Sequence, residues 1–298
     1  MVKRSLTTRS RLALFLAVAF TTAYALDVPG IRLLRESMRD PQATLLLEAV
    51  LVARMFTPLL AALVVLAVEG RLREWLRALH VVFPGLAPLT VSGLLVILVL
   101  VLSLGVGLPL GVRIEPCPVL RDLVGGGGWA WIIIVAGILL VGLIVGVTFN
   151  MVVALGEETG WRGLLLDTLS RDYGEPLAAG LVGVIWGLWH APLIWAGYNY
   201  SIVGCGGSGG GPSAVIVFTS LTTGMGMVLA WLRYRYNSVM APAAAHGTMN
   251  AVAGLFALAV SGPRLVAPPT GISGSIAAGL VGIALWLLYP PVDGRGDG

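Results

Sequence analysis

The run WIIIVAGILLVGLIVGVTFNMVVALGEETGWRGLLLD, Trp131 to Asp167, decides the fold. From Trp131 to Gly156 it holds no charged residue. A helix needs about 20 apolar residues to cross a bilayer, so this stretch reads as a membrane span. It then meets Glu157, Glu158 and Arg162 with no intervening turn signal. Charge is expensive beside hydrocarbon, and where it persists it suggests a site.

The rest of the chain has the same character. Of its 298 residues 57% are hydrophobic and 11% charged, with a mean hydropathy of +0.91. Soluble domains carry about 25% charged residues, so an integral membrane protein is expected. Eight spans are read, at about 11–27, 44–68, 91–112, 129–155 (running on to 170), 177–197, 213–232, 239–260 and 275–289. The fold class is an all-α polytopic membrane bundle, one integral-membrane domain over 1–298. The net charge of +4 is small, and no basic stripe interleaves with aromatics, so no nucleic acid partner is expected.

Lys and Arg in the flanks set the orientation. With the N-terminus cytoplasmic, twelve fall inside: Lys3, Arg4, Arg9, Arg11, Arg71, Arg73, Arg77, Arg162, Arg171, Arg233, Arg235 and Arg295. Six fall outside: Arg32, Arg35, Arg39, Arg113, Arg121 and Arg264. The first span resembles a signal peptide, ending in Ala23-Tyr24-Ala25, but it nears spanning length and is expected to be retained. Cys117 and Cys205 both map to the outer face, where a disulfide and two free thiols are equally compatible.

Glu48 and Arg54 are six apart on the second span, about 240° around a helix, and are expected to find partners on neighbouring helices. Glu158 and Arg162 are spaced i,i+4 with the acid first, the favourable order for a pair on one face. Glu157 points about 100° away, toward other helices. Two of the three histidines, His190 and His246, lie inside spans. The third, His80, sits in a basic loop and reads as a solvated bystander. His246 and Asn250 share a face.

Gly174 and Pro176 mark the turn between the fourth and fifth spans. Glu157 and His190 are equidistant from it, level at about 25 Å in an antiparallel hairpin. From the turn near Arg233–Ser238, His246 lies about 15 Å and Asn250 about 21 Å into the bundle. Such a set suits amide hydrolysis. Glu157, aided by His190, would activate water, and His246 and Asn250 would stabilise the oxyanion. Burial of these groups requires a water path, expected as a cytoplasm-facing cavity.

Glu157-Glu158-x-x-x-Arg162, then Trp186-x-x-x-His190, then His246-x-x-x-Asn250, in successive spans, resembles the CPBP family. These are the Abi or type II CAAX prenyl endopeptidase intramembrane proteases. The resemblance covers about 155–255, within expected core spans 126–262, and residues 1–125 look family-neutral. Trp186 departs from it, since the family usually has Phe there. The resemblance implies that Glu157 is the catalytic carboxylate, with Glu158 and Arg162 its supporting pair, and that His190, His246 and Asn250 complete the catalytic set. It further implies a multi-pass cell-membrane enzyme whose active site opens toward the cytoplasm. The partners would be membrane lipid and a hydrophobic or lipidated peptide substrate; oligomeric state has no signal. No cofactor is required in the metal-free mechanism. Glu157, His190 and His246 would be the ligands if zinc takes part.

Two rivals are weaker. Ser208, in the Gly206–Gly209 run, fits Gly-x-Ser-Gly but maps to the outer face, far from His246. A transporter or binding scaffold predicts two related halves with interrupted helices, and no such repeat is evident.

Overall fold

The computed structural model describes residues 6–37, 40–116, 121, 129–201 and 209–291. Among them there is no strand beyond one isolated bridge, Arg113 to Ser261. The helices are α1 (Thr8–Glu36), α2 (Pro41–Met55), α3 (Thr57–Val68), the short α4 (Trp75–Ala78), α5 (Leu86–Gly107), α6 (Trp129–Val145), α7 (Met151–Glu158), α8 (Leu166–Tyr173), α9 (Glu175–Trp189), α10 (Ala191–Trp195), α11 (Pro212–Tyr236), α12 (Met240–Leu258) and α13 (Ile272–Leu288). Five helical stretches are long and apolar enough to span a membrane, and α9 and α13 are shorter apolar helices. The protein is an all-α polytopic membrane bundle.

The long stretch holding α6, α7 and α8 is continuous but not uniform. Two π-helical turns, Gly146–Asn150 and Thr159–Leu165, bracket the two acids. Such turns interrupt the regular ladder and often mark functional positions. The stretch ends at Gly174, whose φ of 75° permits the sharp reversal, and Pro176 opens α9.

Two expected spans are broken. The second divides at Phe56 into α2 and α3, because Pro58 lacks an N–H and crowds the preceding turn. The fifth breaks at His190 just ahead of Pro192, leaving α10 as a short continuation. The first span runs further than expected, to Glu36, with Pro29 inside it.

Small residues set the approach of the helices, since lipid offers little hydrophobic drive and close packing must supply the contact. A Cβ on Gly156 would lie 2.7 Å from the Met55 carbonyl oxygen, and one on Gly160 would lie 2.6 Å from that of Pro58. The break between α2 and α3 therefore seats directly on the acidic stretch. On the other side a Cβ on Gly183 or Gly187 of α9 would lie 2.6 Å from the Thr222 carbonyl oxygen or 2.7 Å from Thr219 Cα of α11. A Cβ on Gly247 of α12 would lie 2.5 Å from the Gly146 carbonyl oxygen of the first π-turn.

Among the described residues, basic side chains from several segments meet at one end of the bundle, Arg11, Arg71, Arg77 and Arg171 among them. Arg11 of α1 pairs with Glu69 after α3, and Arg233 of α11 reaches Asp167 of α8. The two cysteines lie outside the described residues, as does Ser208.

Candidate active site

Glu157 and Glu158 are 2% and 0% exposed, so neither acid sits at a solvated helix end. They have separate partners. Glu158 Oε1 accepts from Arg162 Nη1 at 2.9 Å, the i,i+4 pair expected from the spacing, and lies 2.8 Å from His246 Nδ1. A carboxylate only accepts, so the proton of that contact belongs to Nδ1 of His246. Glu158 Oε2 and Arg162 Nε and Nη2 are buried without a hydrogen-bond partner among the described residues.

Glu157 is held by indoles. Its Oε2 accepts from Trp186 Nε1 at 2.6 Å and from Trp161 Nε1 at 3.3 Å. Oε1 takes neither bond. Trp161 stands i+4 from Glu157, on its face of the helix. It is itself clamped edge-on between Phe15 of α1 and Trp189, with ring centroids 5.5 and 5.7 Å away. Sequence reasoning missed Trp161, although its spacing from Glu157 was a usable signal.

Trp186 joins the separate groups. Its ring lies 5.1 Å from that of His246 and 5.7 Å from that of His190, and the Arg162 guanidinium carbon is 4.6 Å from its centroid. Trp186 is thus also a hydrogen-bond donor, which the phenylalanine usual at this position in the resembling family could not be. His190 Nδ1 lies 2.9 Å from the Trp186 carbonyl oxygen, so Nδ1 carries the proton and Nε2 is left with a lone pair. The His190 ring packs against Trp189 and Phe218 at 4.7 and 5.0 Å.

α7 with the π-turn after it, the end of α9 and α12 therefore bring Glu157, Arg162, His190 and His246 around one indole, with Glu158 held between Arg162 and His246. Asn250 is placed differently. One turn beyond His246 on α12, it is exposed and outside these hydrogen bonds. The zinc set is not assembled either. Among the described residues no three His, Cys, Asp or Glu side chains converge closely enough to hold one ion.

Other sequence readings change. Arg54 does find partners on neighbouring helices: Asp27 of α1 at 2.6 Å and the Trp189 carbonyl oxygen, with its guanidinium carbon 3.5 Å from the Trp189 ring centroid. Asp27 was not anticipated. Glu48 is exposed, and no ion pair reaches it among the described residues. His80 is no solvated bystander. Its Nε2 lies 2.9 Å from Asp167 Oδ2, and its carbonyl accepts from the Val239 N–H, tying the loop to α8 and to the start of α12.

Residues 129–252, which contain this cluster, match the family model for the Type II CAAX prenyl endopeptidase Rce1-like proteins. Over that segment the chain is similar to that family. A stretch of 50 residues is also 42% identical to CAAX prenyl protease 2 of Methanococcus maripaludis. That match covers 17% of this chain and 18% of the relative. The matched segment holds all three motifs. The helices before it, α1 to α3, supply Phe15, Arg54 and Pro58, which pack on the acidic stretch or beside His190.

Proposed function

We propose that the protein is an intramembrane endopeptidase hydrolysing a peptide bond in a prenylated CAAX-type or other hydrophobic peptide. One observation carries the reading: a buried carboxylate, Glu157, anchored at one oxygen by two indoles, beside two imidazoles on neighbouring helices. An acid fixed at Oε2 keeps Oε1 for a water molecule. The water oxygen attacks the scissile carbonyl carbon while its proton passes to Glu157, and His190 Nε2 accepts a hydrogen bond from the same water.

The charges support the second half of the step. Glu157 and Glu158 carry two negative charges, and Arg162 supplies one positive charge. A protonated His246 balances the set and turns Nε2 into a donor toward the developing oxyanion. Asn250, a turn away on the exposed side of α12, adds its amide once substrate covers that face. Collapse of the tetrahedral intermediate breaks the C–N bond, and the proton held by Glu157 leaves with the amine. Each proton in this sequence moves between water, substrate and side chains of the protein itself.

The similarity over 129–252 and the motif resemblance favour a substrate with a lipidated C-terminus, which would enter sideways from the bilayer. The distribution of basic residues favours an active site that faces the cytoplasm. The test is cleavage of prenylated and unprenylated CAAX peptides by purified protein, with Glu157→Gln as control, before and after dialysis against a chelator. Prenyl-dependent cleavage that Glu157→Gln abolishes and chelation spares is expected. Undiminished cleavage by Glu157→Gln would remove the assignment, and loss on chelation that added zinc restores would replace water activation by Glu157 alone.

A further inference from the structure

Six residues beyond Glu157 at its nearest, a polar cavity of about 220 Å³ opens at the basic end of the bundle. It is separate from the acid–imidazole cluster. Its walls come from four segments: Arg11 of α1, Arg71 after α3, Arg77 of α4, and Asp167 and Arg171 of α8, with His80 closing the loop side. His80 adopts φ 56°, a left-handed conformation uncommon for a residue other than glycine, and its bond to Asp167 holds the ring there.

The carboxylates around this cavity are already matched. Glu69 pairs with Arg11 at 3.4 Å and Arg71 at 3.8 Å, Glu74 with Arg71 at 3.7 Å, and Asp167 with His80 and with Arg233 at 3.5 Å. Arg77 and Arg171 have no ion pair among the described residues, although both line the cavity and both are exposed. Arg11 Nε faces Glu69 at 3.4 Å, so the spare donors are those of Arg77 and Arg171. Converging guanidinia with donors to spare are a recognition geometry for tetrahedral oxyanions, which arginine binds in a bidentate fashion. Basic pockets between membrane helices near a headgroup layer suit phosphate in particular.

We infer that this cavity is a binding site for a phosphate group, presented by an anionic lipid headgroup or as a free phosphate. It does not depend on the peptidase reading. The test uses the full-length protein in two settings. In neutral detergent, inorganic phosphate is titrated against chloride at constant ionic strength, and binding is followed by the shift in melting temperature. In nanodiscs, phosphatidylcholine alone is compared with phosphatidylcholine containing phosphatidylglycerol, and the lipid retained through repurification is quantified by mass spectrometry.

Saturable binding of either probe is expected, weakened about tenfold in Arg77→Gln/Arg171→Gln. Arg73→Gln, a control at an exposed arginine outside the cavity, is expected to bind like the wild type. Binding of inorganic phosphate in detergent identifies a free anion as sufficient, and retention confined to phosphatidylglycerol identifies the headgroup. Equal binding by the wild type and the double variant, equal weakening by Arg73→Gln, or no saturable binding of either probe would overturn the site. Both substituted residues are exposed, so an unchanged melting temperature without phosphate checks that the fold is intact.

Discussion

The indole N–H of Trp186 donates to Glu157 Oε2 at 2.6 Å, across the interface of α9 and α7. An aromatic ring at this position could fill space without that donor. Trp186→Phe keeps the ring against His190 and His246 but leaves Glu157 with the longer bond from Trp161 alone. A hydrogen bond to a charged group contributes about 1.5–3 kcal/mol, so the melting temperature is expected to fall, and turnover to fall about tenfold or more. Steady-state cleavage by the two proteins checks this. An equal fall in kcat/KM and kcat would locate the loss in the reacting state, and a change in KM alone would contradict it.

Glu158 and Arg162 are both fully buried, and breaking a buried pair differs from removing it. Arg162→Met leaves Glu158 charged with His246 as its only cation, and is expected to destabilise the protein by about 3–5 kcal/mol. Glu158→Gln/Arg162→Met removes both charges and should recover much of that loss. A double-mutant cycle on melting temperature in detergent is the measurement. Additive effects would mean that the two side chains do not act as a pair.

Gly160 lies under Pro58, and a methyl group there has no room to move because its neighbours include backbone atoms. Gly160→Ala is expected to cost about 1–3 kcal/mol through overpacking. Gly180, on α9, is the contrast, since a methyl group added there would meet nothing within 4 Å. Gly180→Ala should be neutral or stabilising by about 0.5–1 kcal/mol, because alanine restricts the unfolded helix. Melting curves of the two variants should therefore move in opposite directions or differ by several degrees.

Local spacing made the Glu158–Arg162 pair and the turn at Gly174 legible, since a helix brings i and i+4 together whatever surrounds it. Antiparallel counting also put Glu157 and His190 on facing elements, and both contact Trp186. The spacing of His246 and Asn250 gave a shared face but not exposure, which depends on what packs against α12. The partners of Arg54 and His80 were hidden for the same reason. Asp27 and Asp167 stand 27 and 87 residues away from them, and only the packed bundle decides that they meet. Pro58 and Pro192 announced helix breaks, and the apolar character on both sides of each masked them.

Asp27 and Arg54 extend this dependence to the His190 end of α9. Arg54 bridges α1 and α2 through Asp27, and it also donates to the carbonyl of Trp189, the residue before His190. Its guanidinium covers the Trp189 ring, which contacts both His190 and Trp161. Arg54→Met therefore strands a buried carboxylate and frees one end of the aromatic chain that holds Glu157. The stranded charge is expected to cost about 3–5 kcal/mol. Asp27→Asn/Arg54→Met relieves the charge but restores neither the carbonyl bond nor the cation over the ring. The double variant should regain melting temperature while its cleavage rate stays low. Recovery of both together would show that the pair serves stability alone, with no part in positioning His190.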